Sequence, residues 1–259
     1  MEWDYGAKRH YRRCVWNEFA RRLKNAGARP ADVYCLLMPG ADGDEVEVAK
    51  AKGFREEHLC LVDQDPAIVA ALAARFPLAL PFAGPVDAAF GRAVGMGIPI
   101  VVVNLDLCAN ISLPLLQMLR GIARLWRPTL PDGVPYGLIA VTVLRGRERL
   151  YVSRVFQQIL SDRGRVAEAL REDTLKTLKN ENDLCRVMLV WSALSENARG
   201  EYAVGTARVD TYQSIAGHQT LLWTVHELWK KDEPRDEVSE ILSARDRDPQ
   251  WAHGRVDEW

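Results

Sequence analysis

Apolar positions along the chain form two kinds of pattern, continuous runs and stripes with helical spacing. Short continuous runs at residues 33–38, 58–62 and 135–144 are typical of strands buried on both faces of a sheet. The strongest run, residues 98–105, reads I-P-I-V-V-V-N-L and is rich in β-branched residues. Helical stripes alternate with these runs, so the pattern predicts strands and helices arranged around a parallel sheet.

The predicted helices have recognisable start and stop signals. In chain order they cover residues 7–26, 46–51, 67–76, 112–126, 152–160, 166–178 and 184–194. Asp65, which precedes a proline, and Ser112 are expected to cap two of them. A further strand is expected either at residues 78–82 or at residues 86–90, and the pattern does not choose between the two.

Two long runs rich in β-branched and aromatic residues follow the last helix. They are joined by S-I-A-G-H, which is typical of a hairpin turn. The predicted fold class is therefore α/β, a Rossmann-like, doubly wound, mostly parallel sheet in three α/β/α layers, closed by an antiparallel C-terminal hairpin. The expected division is a basic helix at 1–30, an α/β domain at 31–229 with a helical insert near 151–198 and the hairpin at 202–229, and a charged tail at 230–259.

Composition narrows the class of protein. The net charge of −1 over 259 residues gives no overall attraction to nucleic acid or membranes. Five scattered cysteines without a Cys-x-x-Cys pair favour a reducing compartment, so a cytoplasmic location is expected. No apolar run approaches the roughly 20 residues of a membrane span, and neither His218 nor His226 has a metal-ligand partner at helical or strand spacing. We therefore expect neither a membrane partner nor a metal.

The charge is unevenly distributed along the chain. Residues 1–30 carry eight basic and three acidic side chains, whereas residues 230–259 carry six basic and nine acidic ones. A basic helix with aromatic residues favours contact with a nucleic-acid backbone, and an amphipathic helix packed on the core is the alternative interpretation. The side chains expected to contact nucleic acid are Lys8, Arg9, Arg12, Arg13, Arg21, Arg22, Arg145 and Arg147. The basic N-terminal segment and the acidic C-terminal segment have complementary charges, which could also drive association into a homo-oligomer.

Residues 33–65 read as a strand, a tight turn, a helix and a second strand that ends in Asp63. This is the order of a dinucleotide-type βαβ unit, in which an acid about 20 residues after the turn accepts ribose hydroxyls. The turn lacks Gly-x-Gly-x-x-Gly, and carboxylates at Asp42, Asp44 and Glu45 would repel a pyrophosphate. S-adenosylmethionine, which has a sulfonium and no phosphate, therefore fits better than NAD, FAD or ATP.

Alternating β-α units closed by an antiparallel hairpin resemble the class I S-adenosylmethionine-dependent methyltransferase fold, over about residues 32–229. The resemblance implies that the turn P-G-A-D-G holds the methionine part of the cofactor and that L-V-D-Q-D-P is the second motif, which binds ribose. It also places an acid near the adenine amino group and another at the end of the fourth strand, facing the substrate. The implied cofactor residues are Pro39, Gly40, Asp42, Gly43, Asp63, Gln64 and Asp87, and the implied catalytic residue is Asp106.

The implied function is S-adenosylmethionine-dependent methyl transfer, and the basic first helix together with Arg145, Arg147 and Arg149 near the sheet edge suggests nucleic acid as the acceptor. The alternative is a methyltransferase-fold module that has lost catalysis and serves nucleic-acid binding, protein binding or assembly. Two features favour this alternative, namely a first motif that begins Met-Pro-Gly and the absence of a Pro-Pro-aromatic sequence after Asn104. Cys108 lies near the same strand end, where a thiolate nucleophile could act, but a buried thiol is the favoured interpretation. A different Rossmann enzyme that uses a nucleotide is the third interpretation.

Overall fold

The computed structural model describes residues 5–145, 178, 181–196, 201–213 and 220–231. Within these residues, strands and helices alternate along the chain up to the fifth strand, as the apolar pattern predicts. The strands are β1 (Tyr34–Leu37), β2 (Leu59–Asp63), β3 (Leu80–Ala83), β4 (Ile100–Asn110), β5 (Tyr136–Leu144), β6 (Tyr202–Gln213) and β7 (Thr220–Lys230). The helices are α1 (Tyr5–Asn25), α2 (Asp44–Ala51), α3 (Pro66–Arg75), α4 (Val86–Gly95), α5 (Leu113–Leu125) and α6 (Glu181–Ser195).

The strands form one sheet in the order β3-β2-β1-β4-β5-β7-β6. The first five strands in this order are parallel to one another, while β7 is antiparallel to β5 and β6 is antiparallel to β7. This arrangement confirms the predicted fold class. Because the strand order reverses between β1 and β4, a crevice is expected at the carboxyl end of these two strands, which is where open α/β sheets bind ligands.

Both faces of the sheet are covered by helices, so the molecule has the three predicted layers. Along β1, Leu36 packs into the apolar cluster under α4, α5 and α6, whereas its neighbours Cys35 and Leu37 pack into the cluster under α1, α2 and α3. All three side chains are buried. Continuous apolar runs, rather than alternating ones, are what a sheet covered on both faces requires.

Two sequence predictions are refined at the sheet. Residues 86–90 do not form a strand, because they begin α4, whose buried positions Val86, Ala89, Phe90 and Ala93 have helical spacing. The third strand is β3, which overlaps the other candidate segment. The fourth strand runs to Asn110, beyond the predicted end, since it continues to pair with β5 after an irregularity between Asp106 and Ala109.

The two predicted caps are confirmed. The Asp65 side chain accepts a hydrogen bond from the Ala67 amide at 2.8 Å, at the start of α3. The Ser112 hydroxyl accepts one from the Leu115 amide at 3.4 Å, at the start of α5. Each side chain satisfies a backbone donor that the helix cannot pair internally.

Helix α1 is part of the core rather than a surface arm. Its stripe Tyr11, Val15, Phe19 and Leu23 is buried against the sheet. The Tyr11 hydroxyl lies 2.5 Å from the Thr142 hydroxyl on β5. These contacts favour the interpretation of an amphipathic helix packed on the core, and they hold the N-terminal half of α1 near the carboxyl edge of the parallel strands.

Several predictions lie outside the described residues. These are the helix at 152–160, nearly all of the helix at 166–178, the hairpin turn at 214–218, the tail beyond residue 231, and Arg147.

Candidate functional site

The turn between β1 and α2 begins at the carboxyl end of β1 and contains two glycines in the left-handed backbone region. Gly40 has φ 67° and Gly43 has φ 60°. A Cβ atom at Gly43 would lie 2.8 Å from Cε2 of Phe76, so there is no space for a side chain at this position. Its left-handed backbone conformation would also be strained in any residue other than glycine. The Asp42 carboxylate accepts a hydrogen bond from the Asp44 amide at 3.1 Å, which closes the turn.

Arginines from α1 neutralise two of the three acids in this turn. Nη1 of Arg12 lies 3.2 Å from Oδ2 of Asp42, and Nε of Arg9 lies 3.0 Å from Oδ2 of Asp44. Nη2 of Arg12 also donates to the Pro39 carbonyl oxygen at 3.2 Å. Asp42 and Asp44 therefore repel a pyrophosphate less than the sequence predicts, because cations thirty or more residues earlier in the chain offset their charge.

Glu45, the third acid, is fully buried in the first turn of α2. Its Oε1 accepts hydrogen bonds from Nε1 of Trp16 at 3.1 Å and from the Asn104 amide nitrogen. Burial raises the pKa of Glu45 to about 7, although Arg12 acts in the opposite direction. Oε2 of Glu45 and Oδ1 of Asn104 are buried without a hydrogen-bond partner in the part of the chain that the structure describes.

Asp63 lies at the tip of β2, as the sequence predicts. Its Oδ1 accepts a hydrogen bond from the Asp65 amide at 2.9 Å. Its Oδ2 has no hydrogen-bond partner among the described residues, and the side chain is partly exposed. The carboxylate therefore keeps one oxygen for a ligand at the carboxyl edge.

The remaining predicted cofactor residues are more exposed. Gln64 follows Asp63 directly and is exposed, and Asp87 is exposed in the first turn of α4. Pro39 and Gly43 are buried, whereas Gly40 and Asp42 are partly exposed. The structure thus places these residues along the loops that follow β1, β2 and β3.

Asp106 lies on β4, near the irregularity in its pairing with β5. Its side chain is nearly buried, and Oδ2 lies 3.1 Å from Nζ of Lys8 on α1. Arg12 is close enough to interact electrostatically with both Glu45 and Asp106. Helix α1 therefore delivers Lys8 and Arg12, one turn apart, to the edge where the predicted catalytic acid lies. The side chain of Cys108 is not among those described.

The basic side chains predicted to contact nucleic acid have mixed positions. Arg12 and Arg22 are buried, so the surface position that the sequence interpretation gave to these two is wrong. Arg22 pairs with Glu18 at 2.5 Å and with Glu227 at 2.8 Å. Arg21 pairs with Glu18, and Arg145 pairs with Asp183 on α6 at 2.7 Å. The physical reason is that burying a charge requires a partner, and the acids of this chain supply it.

The sequence interpretation missed the inward positions of Arg12 and Trp16. Both residues follow directly after members of the apolar stripe of α1, at Tyr11 and Val15, and they are four residues apart. This spacing is the available signal that they share one side of the helix, next to its buried face. It does not say which acid they meet.

The antiparallel pair β7 and β6, added to a parallel sheet at β5, is the closing pair that the resemblance to class I methyltransferases predicts. The fold of the described residues is Rossmann-like α/β. No protein-family model matches this chain, and a search of curated proteins finds no match. Among the described residues, no group of three or more His, Cys, Asp or Glu side chains is placed to hold a metal ion, and none of the helices is both long and apolar enough to cross a membrane.

Solved structures offer similarity of fold at low sequence identity. A Rhodobacter sphaeroides protein classed with the Zn-dependent alcohol dehydrogenases aligns with 12% identity and a TM-score of 0.39, over 77% of this chain and 84% of its own. Fibrillarin of Aeropyrum pernix, solved with natively bound S-adenosyl-L-methionine, aligns with 10% identity and a TM-score of 0.38, over 75% of this chain and 66% of its own. The MccD protein aligns with 12% identity and a TM-score of 0.35, over 85% of this chain and 97% of its own. At these values the likenesses carry no argument about function.

Proposed function

We propose that this protein binds S-adenosylmethionine at the carboxyl edge of β1, β2 and β4 and uses it as a methyl donor. The observation that carries the proposal is the Asp63 carboxylate, which lies at the tip of β2 with Oδ2 unpartnered in the described part of the chain. Such a carboxylate suits a ribose hydroxyl, since hydrogen bonds to an ionised acceptor are among the strong ones. The glycine turn directly follows β1, which is the strand next to β2 in the sheet.

The polar groups beside this turn also fit the cofactor. While Glu45 is ionised, the unpartnered buried oxygens of Glu45 and Asn104 are both acceptors, and leaving them unpaired costs free energy. A ligand that carries N–H donors and a positive charge would relieve this cost. With Asp42 paired to Arg12, the turn can also approach a ligand without a large excess of negative charge.

When bound, the cofactor would supply a methyl group on a positively charged sulfur. Asp63 would then hold the sugar, and the turn from Pro39 to Gly43 would hold the other end of the ligand. Asp106, on β4, would face the acceptor and accept a hydrogen bond from it. Such an enzyme works chiefly by holding two reactants in line, so it needs few reactive side chains.

Calorimetric titration with S-adenosylmethionine and S-adenosylhomocysteine tests this proposal. Asp63→Asn keeps an oxygen for the Asp65 amide but removes the charge, so affinity should fall about 10- to 100-fold, as expected for one charge-assisted hydrogen bond of about 1.5–3 kcal/mol. Asp65→Asn is the matched control, because it removes the same charge two residues away and keeps a good helix cap. Equal affinity in the two variants, or no binding by the folded wild type, would contradict the proposal.

The acceptor that we propose from the sequence is nucleic acid, although the charges give this part less support. Of the basic side chains named for it, Arg13 is exposed on α1, while Arg12 and Arg22 are buried. Transfer of labelled methyl groups to duplex DNA and to transfer RNA, at low and high salt, tests it. Contact with phosphates should make transfer strongly salt-dependent. Absence of transfer to either polymer by a protein that binds the cofactor would overturn this acceptor.

A second candidate function is an assembly or binding module without catalysis. One observation favours it, since Asp42 and Asp44 of the first turn, and Asp106 on β4, are already paired with cations of the same chain. Light scattering after size-exclusion chromatography at low and high salt distinguishes the two functions. Salt-sensitive association by a protein that shows no affinity for S-adenosylmethionine would favour the module.

A further inference from the structure

Lys8 places a primary amine at the edge where the predicted catalytic acid lies. Its Nζ is 3.1 Å from Oδ2 of Asp106, whose side chain is only 1% exposed, while the Lys8 side chain is 22% exposed. An ammonium that reaches a nearly buried carboxylate is held in a narrow range of positions, unlike a lysine on an open surface. Lys8 is therefore oriented towards the carboxyl edge of β4.

The same helix connects this amine to the turn proposed to hold the cofactor. Arg12 follows Lys8 by one helical turn and so lies on the same side of α1. Its guanidinium donates to the Pro39 carbonyl oxygen and pairs with Asp42, both within the turn after β1. Lys8 and Arg12, one turn apart on α1, thus hold the amine and the proposed cofactor turn at one edge of the sheet.

The surroundings of this amine are rich in acceptors. Glu45 is fully buried and interacts electrostatically with Asp106, and Asn104 contacts Glu45 from the same strand as Asp106. An amine has N–H donors that match such acceptors, and a hydroxyl group has one O–H donor, whereas a carboxylate would only add further acceptor oxygens. The local chemistry therefore suits an amine as the group that receives a methyl group and disfavours a carboxylate.

We propose that Lys8 is itself a methyl acceptor, so that the protein methylates its own Lys8 side chain. This inference rests on the proposed binding of S-adenosylmethionine. The Asp106 carboxylate stabilises the ammonium form of Lys8, so the nitrogen must first release a proton to water on its exposed side, and the positive charge of a bound sulfonium would favour this step by repulsion. The nitrogen lone pair then forms a bond to the methyl carbon, the bond from that carbon to sulfur breaks, and its electron pair stays on sulfur. The products are methyl-lysine, which remains positively charged, and S-adenosylhomocysteine.

Mass spectrometry of the full chain after incubation with S-adenosylmethionine that carries a deuterated methyl group tests the inference. Cleavage after Glu2 and Glu18 releases a peptide in which Lys8 is the single lysine. We expect at most a few deuterated methyl groups per chain, all of them on this peptide. Lys24, which is exposed near the other end of α1, should carry no label. Lys8→Arg keeps the positive charge beside Asp106 but removes the amine, so its peptide should stay unlabelled.

The outcomes separate this inference from the proposed function. Calorimetry on the same preparation establishes whether the cofactor binds. Binding without label on Lys8 would overturn the inference and leave the proposed function standing. Equal label on Lys8 and Lys24 would also overturn it, because that result indicates unguided chemistry. Absence of binding would overturn both. Label on Lys8 that is lost in Asp63→Asn, a variant altered on β2 and not at Lys8, would support both.

Discussion

Glu45 is expected to destabilise the protein above neutral pH, and Glu45→Gln should remove this effect. The carboxyl group is fully buried, and burial raises its pKa from 4.5 to about 7. A group whose pKa is higher in the folded state than in the unfolded state stabilises the fold while it is protonated. That stability is present below about pH 4.5 and is lost as the pH rises towards 7.

The magnitude follows from the difference between the two pKa values. Each pKa unit corresponds to about 1.4 kcal/mol, so ionising Glu45 in the fold should cost about 3 kcal/mol at pH 8. Glutamine resembles the protonated acid and cannot ionise. The variant should therefore be more stable than the wild type by up to about 3 kcal/mol at pH 8, which corresponds to roughly 6–12 °C in melting temperature for a chain of this size.

Thermal unfolding at pH 5 and pH 8 measures this difference. Most of the gap between wild type and Glu45→Gln should disappear at pH 5, because the wild-type side chain is then largely protonated in the fold. Glu47→Gln is the matched control, since Glu47 is on the same helix but its side chain is 52% exposed, and its melting temperature should follow the wild type at both pH values. A gap between wild type and Glu45→Gln that is the same at both pH values would refute the reasoning.

Two further predictions concern stability. Gly43→Ala should cost about 2–4 kcal/mol in the free energy of unfolding, because a left-handed backbone and a 2.8 Å contact with Phe76 both oppose a methyl group. Gly40→Ala should cost only about 1–2 kcal/mol, because no atom lies within 4 Å of the added methyl group. Urea unfolding measures both losses, and equal losses would contradict the role of Phe76. Arg22→Met should cost about 3–5 kcal/mol, because it removes a cation from two buried carboxylates, Glu18 and Glu227, whereas exposed Arg13→Met should change stability little. Burial would raise the pKa of Glu18, yet Arg22 and Arg21 lower it to about 2, so this stability is present above about pH 4.5 and should fade in the wild type as the pH falls towards 2. A pH-independent difference between Arg22→Met and wild type over that range would argue against the pairing.

The strands and helices could be predicted from the sequence because their signals are local. The β-branched run of β4 and the caps at Asp65 and Ser112 depend on neighbouring residues only, and all three predictions are confirmed at these positions. The carboxylate at the tip of β2 could be found for the same reason, since Asp63 directly ends an apolar run. The start of α4 was also visible in principle, because Val86, Ala89, Phe90 and Ala93 have helical spacing.

The pairing of distant charges was decided by the tertiary structure. The sequence shows that residues 1–30 are basic, but it does not show that Arg12 meets Asp42 or that Arg22 meets Glu227. Such pairs depend on how α1 crosses the sheet, and no periodicity within one segment carries that information. The same holds for Glu45, whose pKa depends on burial against residues from α1 and β4.

The sequence by itself therefore determined most of the described strands and helices, though not α4, and that an acid ends β2, because backbone preferences and apolar spacing act over a few residues. Only the tertiary structure decided that Arg12 of α1 faces inward at the carboxyl edge, where Lys8 meets Asp106. The physical reason is that electrostatic and packing energies depend on distance in space, and the residues that meet at this edge are far apart along the chain.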